Sequence, residues 1–249
     1  MTLIIGVRCQ EGIAIGADSM VKVGSDFGNI QMTSEKTRLL DENDGIAAFA
    51  GDVGLGQIIL DSLASSNLSP SSSASKNDTK DAVTQAIGNT SMSYYNMSRY
   101  LGEQLEVPEL LVALPVKEQP SLVLYRRAIP IAEATEGMCF LTAGSGADLA
   151  NSFLKFLERV FWQGNSPTTI GEGIFSILWT LNHVIEANAA MSVGGSPSIA
   201  VLEAAEHGWS SRMLQREELE IHEVNIETIE EWISVSWASL YSNPNSSNP

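Results

Sequence analysis

The order in which short β-rich runs and helical patterns alternate is the feature that most constrains the fold of this chain. Short apolar or β-branched runs between turn residues are typical of strands, whereas apolar residues spaced by three and four indicate helices. Asp52, directly after Gly51, is placed to cap the first helix. Strands are predicted at 3–8, 13–17, 36–41, 45–50, 110–116, 122–126, 138–142, 198–204 and 211–214, irregular strands and loop at 19–35, and helices at 53–63, 79–105, 147–162, 169–190 and 227–240.

Each predicted element has an apolar face that must be buried against another element. Two antiparallel sheets stacked face to face, with a helix pair outside each sheet, would bury all of these faces at once. The sequence therefore predicts an α+β fold, a four-layer αββα sandwich of two antiparallel sheets. With 249 residues, 44% of them apolar, the chain suits one domain over 1–241. We expect a Ser-rich flexible loop at about 65–80 and a disordered polar tail at 242–249.

Charge and composition exclude several classes of partner. Thirty acidic residues against fourteen basic ones give a net charge of −16, which repels nucleic acid and anionic lipid. No apolar run is long enough for a membrane span, and no basic segment precedes the first apolar run, so no secretory signal is expected. Cys9 and Cys139 lie in apolar runs, which predicts two buried thiols in a reducing, cytoplasmic compartment.

Common catalytic and ligand-binding motifs are absent from the sequence. It contains no P-loop, no G-x-S-x-G, and no H-E-x-x-H or C-x-x-C pattern, and we expect neither a metal nor a cofactor. His183, His207 and His222 are scattered and favour helix-face or turn positions. The glycine motifs at 54–56 and 144–146 are too short to indicate a nucleotide site.

Thr2 is the strongest candidate for a catalytic residue. A small residue after Met1 permits removal of the initiator methionine, which would leave a threonine with a free α-amine beside its own hydroxyl. An α-amine titrates near pH 8, so a neutral fraction exists at pH 7 to accept the hydroxyl proton. Taken alone, Thr2 is far better explained as the residue that merely follows a start codon.

The residues around Thr2 form a pattern that reaches well into the chain. The segments Thr2-Leu-Ile-Ile-Gly-Val-Arg8, Gly12-Ile-Ala-Ile-Gly-Ala-Asp-Ser19 and Phe49-Ala-Gly51, together with Lys36, resemble the start of proteasome β-type subunits. They also resemble the bacterial relatives of these subunits, the HslV peptidases and Anbu-like proteins, all N-terminal nucleophile hydrolases. The segment Ala143-Gly-Ser-Gly146 resembles the serine loop of the same family.

The resemblance implies a set of roles for these residues. The Thr2 hydroxyl would attack the scissile carbonyl, and Lys36 would act as a neighbouring cation that favours its deprotonation. Asp18 would orient Lys36, the N–H of Gly51 would donate to the oxyanion, and Ser145 would bond near the α-amine. The alternatives are a surface ion pair between Asp18 and Lys36 and an ordinary turn at Gly51.

The resemblance also implies a substrate pocket. Val21, Phe49 and Val53 would flank Thr2 and favour hydrophobic residues before the cleaved bond. Phe49 and Val53 could equally be ordinary core residues.

Several positions depart from the family pattern. The resemblance covers residues 2 to 60 well and 138 to 202 loosely. Lys36 lies two residues later than a gapless match gives, Ala147 replaces a frequent serine, and Asn188 and Ser192 replace an Asp and a serine in another register. These changes leave Thr2 and its main neighbours in place and alter the residues around them.

The function implied is a threonine-type peptidase that acts on peptides or unfolded proteins inside a homo-oligomeric ring, with an ATPase unfoldase as a possible partner. Two other functions stay open at this point. One is a catalytically silent proteasome-like shell subunit, and the other is an N-terminal nucleophile amidohydrolase acting on small amides.

Overall fold

The computed structural model describes residues 2–25, 28–68, 75–101, 107–116, 119–163, 165–187, 193–206 and 208–241. The strands in these ranges are β1 Leu3–Arg8, β2 Gly12–Ala17, β3 Met20–Ser25, β4 Gly28–Thr33, β5 Thr37–Leu40, β6 Gly45–Ala50, β7 Glu109–Val116, β8 Gln119–Arg126, β9 Ile129–Glu133, β10 Phe140–Gly144, β11 Ser198–Ala205 and β12 Gly208–Met213. The helices are α1 Val53–Ala64, α2 Lys76–Leu101, α3 Ala147–Leu157, α4 Ile170–Ala187 and α5 Arg216–Tyr241. A short 3-10 helix at Asp41–Asn43 and a short π-helix at Glu158–Trp162 complete the regular structure of the described residues.

Two antiparallel sheets form the centre of the domain. One has the order β10-β1-β2-β11-β12 and the other β5-β6-β7-β8-β9, while β3 and β4 form a separate hairpin. Because side chains alternate along a strand, Ile4 of β1 points between the sheets whereas Leu3 and Ile5 point to the outer helices. Small and branched residues of both sheets fill the space between them, among them Ile13, Ile15, Ile46, Ala48, Leu111 and Leu122.

Helices cover the outer face of each sheet. The helices α3 and α4 pack on the first sheet and share an apolar core with it, and α5 packs outside α4. The helices α1 and α2 pack on the second sheet over a separate core. Gly16 permits the close approach of α4, because a Cβ there would lie 2.3 Å from Ile177 Cγ2. The predicted four-layer αββα sandwich is confirmed.

One end of the sandwich gathers the ends of strands from both sheets. Leu3 at the start of β1 pairs with Gly144 at the end of β10, and Ile4 pairs with Ala17 at the end of β2. In the facing sheet, the end of β6 pairs with the start of β7. Antiparallel pairing therefore places segments that are distant in sequence at the same edge.

The predicted starts of two helices, α2 and α5, are wrong. The α2 helix begins at Lys76, so residues 76–80 are helical and do not belong to the predicted Ser-rich loop. The α5 helix begins at Arg216, eleven residues before the predicted start at Glu227. Its first turns expose glutamates on most sides and bury only Leu219 and Ile226, which hid the helical spacing in the sequence.

The sequence also missed two strand features. The segment 19–35, expected to contain irregular strands and loop, contains the regularly paired β3–β4 hairpin. The strand β9 was not predicted because it contains Pro130 and follows a turn of Arg127 and Ala128, which adopt positive φ angles without a glycine. Proline is tolerated there because β9 is an edge strand. The predicted tail at 242–249 lies outside the described residues.

Candidate active site

Thr2 lies immediately before β1, at the end of the sandwich where strand ends of both sheets lie together. Its backbone nitrogen, the future α-amine if Met1 is removed, lies 3.3 Å from Ser145 Oγ. Its carbonyl oxygen is 3.5 Å from both Ser145 Oγ and the nitrogen of Gly146. Thr2 is only 6% exposed. The loop between β10 and α3 therefore holds Thr2 from one side, and the role of Ser145 beside the α-amine stays a prediction.

Asp18 connects three parts of the chain from its position after β2. Its Oδ1 accepts hydrogen bonds from the Leu3 N–H at 2.8 Å and from Lys36 Nζ at 2.8 Å. Its Oδ2 accepts from the Gly194 N–H at 3.1 Å. With 1% of its surface exposed, Asp18 is a buried carboxylate whose oxygens are satisfied by two amides and one ammonium group.

Lys36 is buried with its partner and lies just before β5. Its Nζ also donates to the carbonyl oxygen of Met20 at 2.6 Å, and neither side chain of the Lys36–Asp18 pair has exposed surface. Burial lowers the pKa of Lys36 below its ordinary value, and this effect outweighs the opposing attraction of Asp18. The alternative of a surface ion pair is therefore excluded.

Gly144 holds the backbone of Thr2 in a way that only glycine permits. Its φ is +94°, and a Cβ there would lie 2.1 Å from the Thr2 carbonyl oxygen. Its N–H donates to Glu109 Oε2 at 3.0 Å, and Glu109 Oε1 accepts from Arg126 Nε at 2.6 Å. Glu109 and Arg126 thus connect the serine-bearing loop of one sheet to the facing sheet.

Gly51 lies on the opposite side of the same end, between β6 and α1. It has a φ of +131°, and a Cβ there would lie 3.2 Å from the Cα of Pro108. The preceding residue, Ala50, has its Cβ 3.1 Å from the position of a Gly144 Cβ, so the Gly51 turn and the loop that holds Thr2 are neighbours. The next residue, Asp52, caps α1 as predicted, since its Oδ1 accepts from the Leu55 N–H at 2.8 Å.

The three residues proposed to flank the substrate lie in different surroundings. Val21 is 9% exposed in β3, which follows Asp18. Phe49 has no exposed surface and contacts Gly56 in the core beneath α1, in agreement with the core alternative. Val53 is partly buried at the start of α1 and packs against that same core. The role of the three in substrate binding stays a prediction.

Three contacts around Thr2, Asp18 and Lys36 were not indicated by any sequence motif. Glu109 bonds Gly144, the Met20 carbonyl accepts from Lys36, and the Gly194 N–H reaches Asp18. The Met20 carbonyl and the Gly194 N–H are backbone groups, and Glu109 lies 35 residues before Gly144 in the sequence. No local sequence pattern therefore indicates these contacts. Asn188 and Ser192, which depart from the family pattern, lie outside the described residues.

Other kinds of site are not evident in the part of the chain that the structure describes. Within it, no group of three or more His, Cys, Asp or Glu residues is placed to hold a metal ion. Among its helices, none is long and apolar enough to cross a membrane. Cys9 and Cys139 are free and buried, as expected.

Comparison with known proteins places the fold. No protein-family model and no curated protein matches the sequence. Solved structures do match, and they include Anbu proteins. Anbu (ancestral beta-subunit) from Yersinia bercovieri has a TM-score of 0.67 and 14% identity over 99% of both chains. A Gly-1 mutant of Anbu from Hyphomicrobium sp. strain MC1 has a TM-score of 0.64 and 16% identity, over 94% of this chain and 97% of that one.

A third match is described as the helical assembly of the Anbu complex from Pseudomonas aeruginosa. Its TM-score is 0.65 at 15% identity, over 93% of this chain and 95% of that chain. Identities this low establish the fold alone, which this chain shares with the Anbu structures. Activity has to be argued from the residues at the site.

Proposed function

We propose that this chain is a threonine-type peptidase in which Thr2, after removal of Met1, is the nucleophile. The proposal rests chiefly on one continuous set of contacts. Thr2 N lies beside Ser145 Oγ, the next residue's N–H bonds Asp18, and Asp18 pairs with Lys36 at 2.8 Å. Burying a cation and a carboxylate costs desolvation free energy. Because this pair is fixed one residue from Thr2, whose hydroxyl and α-amine could react together, a functional role is favoured.

The proposed reaction is acyl transfer. The Thr2 hydroxyl oxygen attacks the peptide carbonyl carbon while its proton passes to the α-amine, and the Lys36 ammonium lowers the free energy of the forming alkoxide. The tetrahedral intermediate loses the amine of the departing peptide, which takes up that proton. Water then hydrolyses the ester on Thr2 and regenerates the hydroxyl. Ser145 would hold the α-amine, and the Gly51 N–H would donate to the oxyanion.

Assembly is part of the proposal. A Pseudomonas Anbu protein of the same fold forms a helical assembly, and by analogy we propose that this chain also forms a homo-oligomer. Peptide or unfolded-protein substrates, an ATPase unfoldase and a cytoplasmic location stay predictions from the sequence.

The decisive experiment measures the mature N-terminus and its reaction with a peptide epoxyketone, which needs both a hydroxyl and an α-amine. We expect an intact mass without Met1 and one adduct per chain on Thr2. Thr2→Ala should abolish the adduct, whereas Thr2→Ser, which keeps both groups, should retain it. Retained Met1 together with no labelling would refute the proposal and would favour the silent shell subunit.

A further inference from the structure

Glu109, the first residue of β7, lies between the two backbone turns on either side of Thr2. In the register of its own sheet it pairs with Ala50, the residue that precedes the Gly51 turn. Its carboxylate reaches across to the other sheet, where Oε2 accepts a hydrogen bond from the Gly144 N–H at 3.0 Å. The backbone of Glu109 therefore belongs to the side of the proposed oxyanion donor, whereas its side chain bonds the side of the nucleophile.

The backbone of Glu109 is fixed against the Gly51 turn. A Cβ on Gly51, which has a φ of +131°, would lie 3.2 Å from the Cα of Pro108. Pro108 is buried, and the proline ring restricts its φ to about −65°. Because Glu109 follows Pro108 directly and pairs with Ala50, its Cα has little freedom to move relative to Gly51.

Arg126 fixes the direction of the Glu109 side chain. The two residues lie directly opposite each other in β7 and β8, and Arg126 Nε donates to Glu109 Oε1 at 2.6 Å. With Arg126 on one carboxylate oxygen and Gly144 on the other, both oxygens of Glu109 have a defined partner. The Glu109 side chain is only 23% exposed, so water competes weakly for these contacts. Hydrogen bonds to an ionised group are also shorter and stronger than those between neutral groups.

On the other side of this bridge, the backbone of Gly144 contacts Thr2. A Cβ on Gly144 would overlap the Thr2 carbonyl oxygen, and the φ of +94° is one that glycine adopts readily. The next residue, Ser145, has its Oγ 3.3 Å from the Thr2 nitrogen. Because glycine has wide backbone freedom, a hydrogen bond to its N–H narrows the conformations of the whole turn. The bond from Gly144 to Glu109 therefore limits how far the turn beside Thr2 can move.

We propose that Glu109 is a positioning residue for the acyl transfer assigned to Thr2, an inference that rests on the function proposed above. Glu109 sets the separation between the Gly51 N–H, which would bind the oxyanion, and the loop that lies beside the α-amine of Thr2. It acts through the Gly144 N–H and does not itself contact the substrate or transfer a proton. Spacing matters because a misplacement of about 1 Å between reacting groups can reduce a rate by about 100-fold.

Reach, and not charge, is the property of Glu109 that this role requires. Arg126 balances the carboxylate of Glu109, so the pair brings little net charge to the site. A carboxylate without a partner would favour the protonated form of a nearby α-amine, and that form cannot accept the Thr2 hydroxyl proton. The role therefore depends on an oxygen acceptor that reaches Gly144, and negative charge at this position is dispensable.

Three variants of Glu109 separate reach from charge. Glu109→Gln keeps an oxygen acceptor at the same reach without the charge, and Arg126, whose side chain is 59% exposed, can turn towards water. Glu109→Asp keeps the charge on a side chain that is one methylene shorter, and Glu109→Ala removes both properties. Glu203→Ala is the matched control, because Glu203 also bonds an arginine of the neighbouring strand, at 2.9 Å. Glu203 lies opposite Gly12, at the end of β2 farthest from Thr2.

The first measurement is the saturation kinetics of labelling by the peptide epoxyketone on the full-length chain. Glu109→Ala and Glu109→Asp should lower the maximal labelling rate by roughly 10-fold or more. The half-saturating concentration should stay nearly unchanged, because Glu109 does not contact the inhibitor. Glu109→Gln should recover most of the rate, and Glu203→Ala should match wild type. Equal maximal rates in wild type and Glu109→Ala, or a loss in Glu109→Gln as large as that in Glu109→Ala, would overturn the proposal.

The second measurement needs no reaction at Thr2. Hydrogen–deuterium exchange at the Gly144 amide, resolved by mass spectrometry with electron-transfer fragmentation, should be about 10-fold faster in Glu109→Ala and Glu109→Asp. It should stay near the wild-type rate in Glu109→Gln and Glu203→Ala. Unchanged exchange in Glu109→Ala would overturn the proposal whatever the activity.

The two measurements together distinguish failure of this inference from failure of the proposed function. A wild-type chain that is never labelled would refute the role of Thr2, and with it the catalytic role of Glu109, even where exchange at Gly144 responds as expected. A wild-type chain that is labelled, with the same maximal rate in every Glu109 variant, would refute the role of Glu109 alone.

Discussion

The buried Lys36–Asp18 pair gives the sharpest test of how the site is held together. At 2.8 Å and an effective dielectric constant of about 20, the two charges attract by roughly 6 kcal/mol, and the desolvation of both offsets most of this. Removing one partner is different, because the other charge stays buried. In Lys36→Met, Asp18 would keep the amide donors of Leu3 and Gly194. We therefore expect a loss near the lower end of the usual range, about 3 kcal/mol.

Thermal and denaturant unfolding at a fixed protein concentration would measure this loss. In a domain of this size about 3 kcal/mol corresponds to a decrease in Tm of roughly 6–12 °C. Lys155→Met is the matched control, because Lys155 pairs with Glu158 at 2.6 Å but is 59% exposed. Exposed pairs contribute about 0–1 kcal/mol, so the control should lose little. Asp18→Asn combined with Lys36→Met should cost less than the sum of the single changes.

The pH dependence of the same comparison tests the state of Lys36. Burial lowers its pKa in the folded protein below the ordinary value of 10.5. Between those two values the unfolded chain holds more protons than the folded one, so the lysine's contribution to stability rises with pH there. The stability of wild type relative to Lys36→Met should therefore increase as pH rises towards 10.5. Equal losses in Lys36→Met and Lys155→Met, or a difference that does not change with alkaline pH, would refute this account.

Three other predictions concern separate parts of the domain. Gly144→Ala places a Cβ 2.1 Å from the Thr2 carbonyl oxygen, so chemical denaturation should show a loss of stability of roughly 3 kcal/mol or more. The control is Gly137→Ala, where nothing lies within 4 Å of the added Cβ, and it should be nearly neutral. Burial raises the pKa of Cys9 to about 12 and that of Cys139 to about 11. Iodoacetamide should therefore alkylate both at least about 100-fold more slowly in the native than in the unfolded chain at pH 8, by mass spectrometry; comparable rates would contradict the burial. Burial raises the pKa of Glu133, but hydrogen bonds from two lysines and a serine outweigh it and lower the value to about 2. The stability advantage over Glu133→Gln should thus be full above pH 4.5 and disappear as pH falls towards 2 in acid unfolding curves; an advantage that persists at pH 2 would contradict it.

The sequence by itself determined the layer architecture, and a resemblance to a known family pointed to the central residues of the candidate site. Short strands with alternating or continuous apolar residues, and helices with one apolar stripe, leave few ways to bury every face, so the αββα sandwich could be predicted. Thr2 and Asp18 were found by resemblance over a gapless opening segment. Lys36 and Ser145 were found by the same resemblance, Lys36 after a two-residue insertion and Ser145 in a separate later segment. The structure brings these four residues together at one end of the two sheets.

Tertiary structure alone decided the surroundings of those residues. That the Lys36–Asp18 pair is buried, and not on the surface, depends on how β5 and the ends of β1 and β2 pack together. Glu109 reaches Gly144 only because the two sheets face each other, and backbone atoms such as the Gly194 N–H leave no mark in a sequence pattern. The true length of α5 was likewise hidden, since its first turns are charged on most sides. Local sequence specifies local elements, whereas contacts between distant segments follow only from the completed packing.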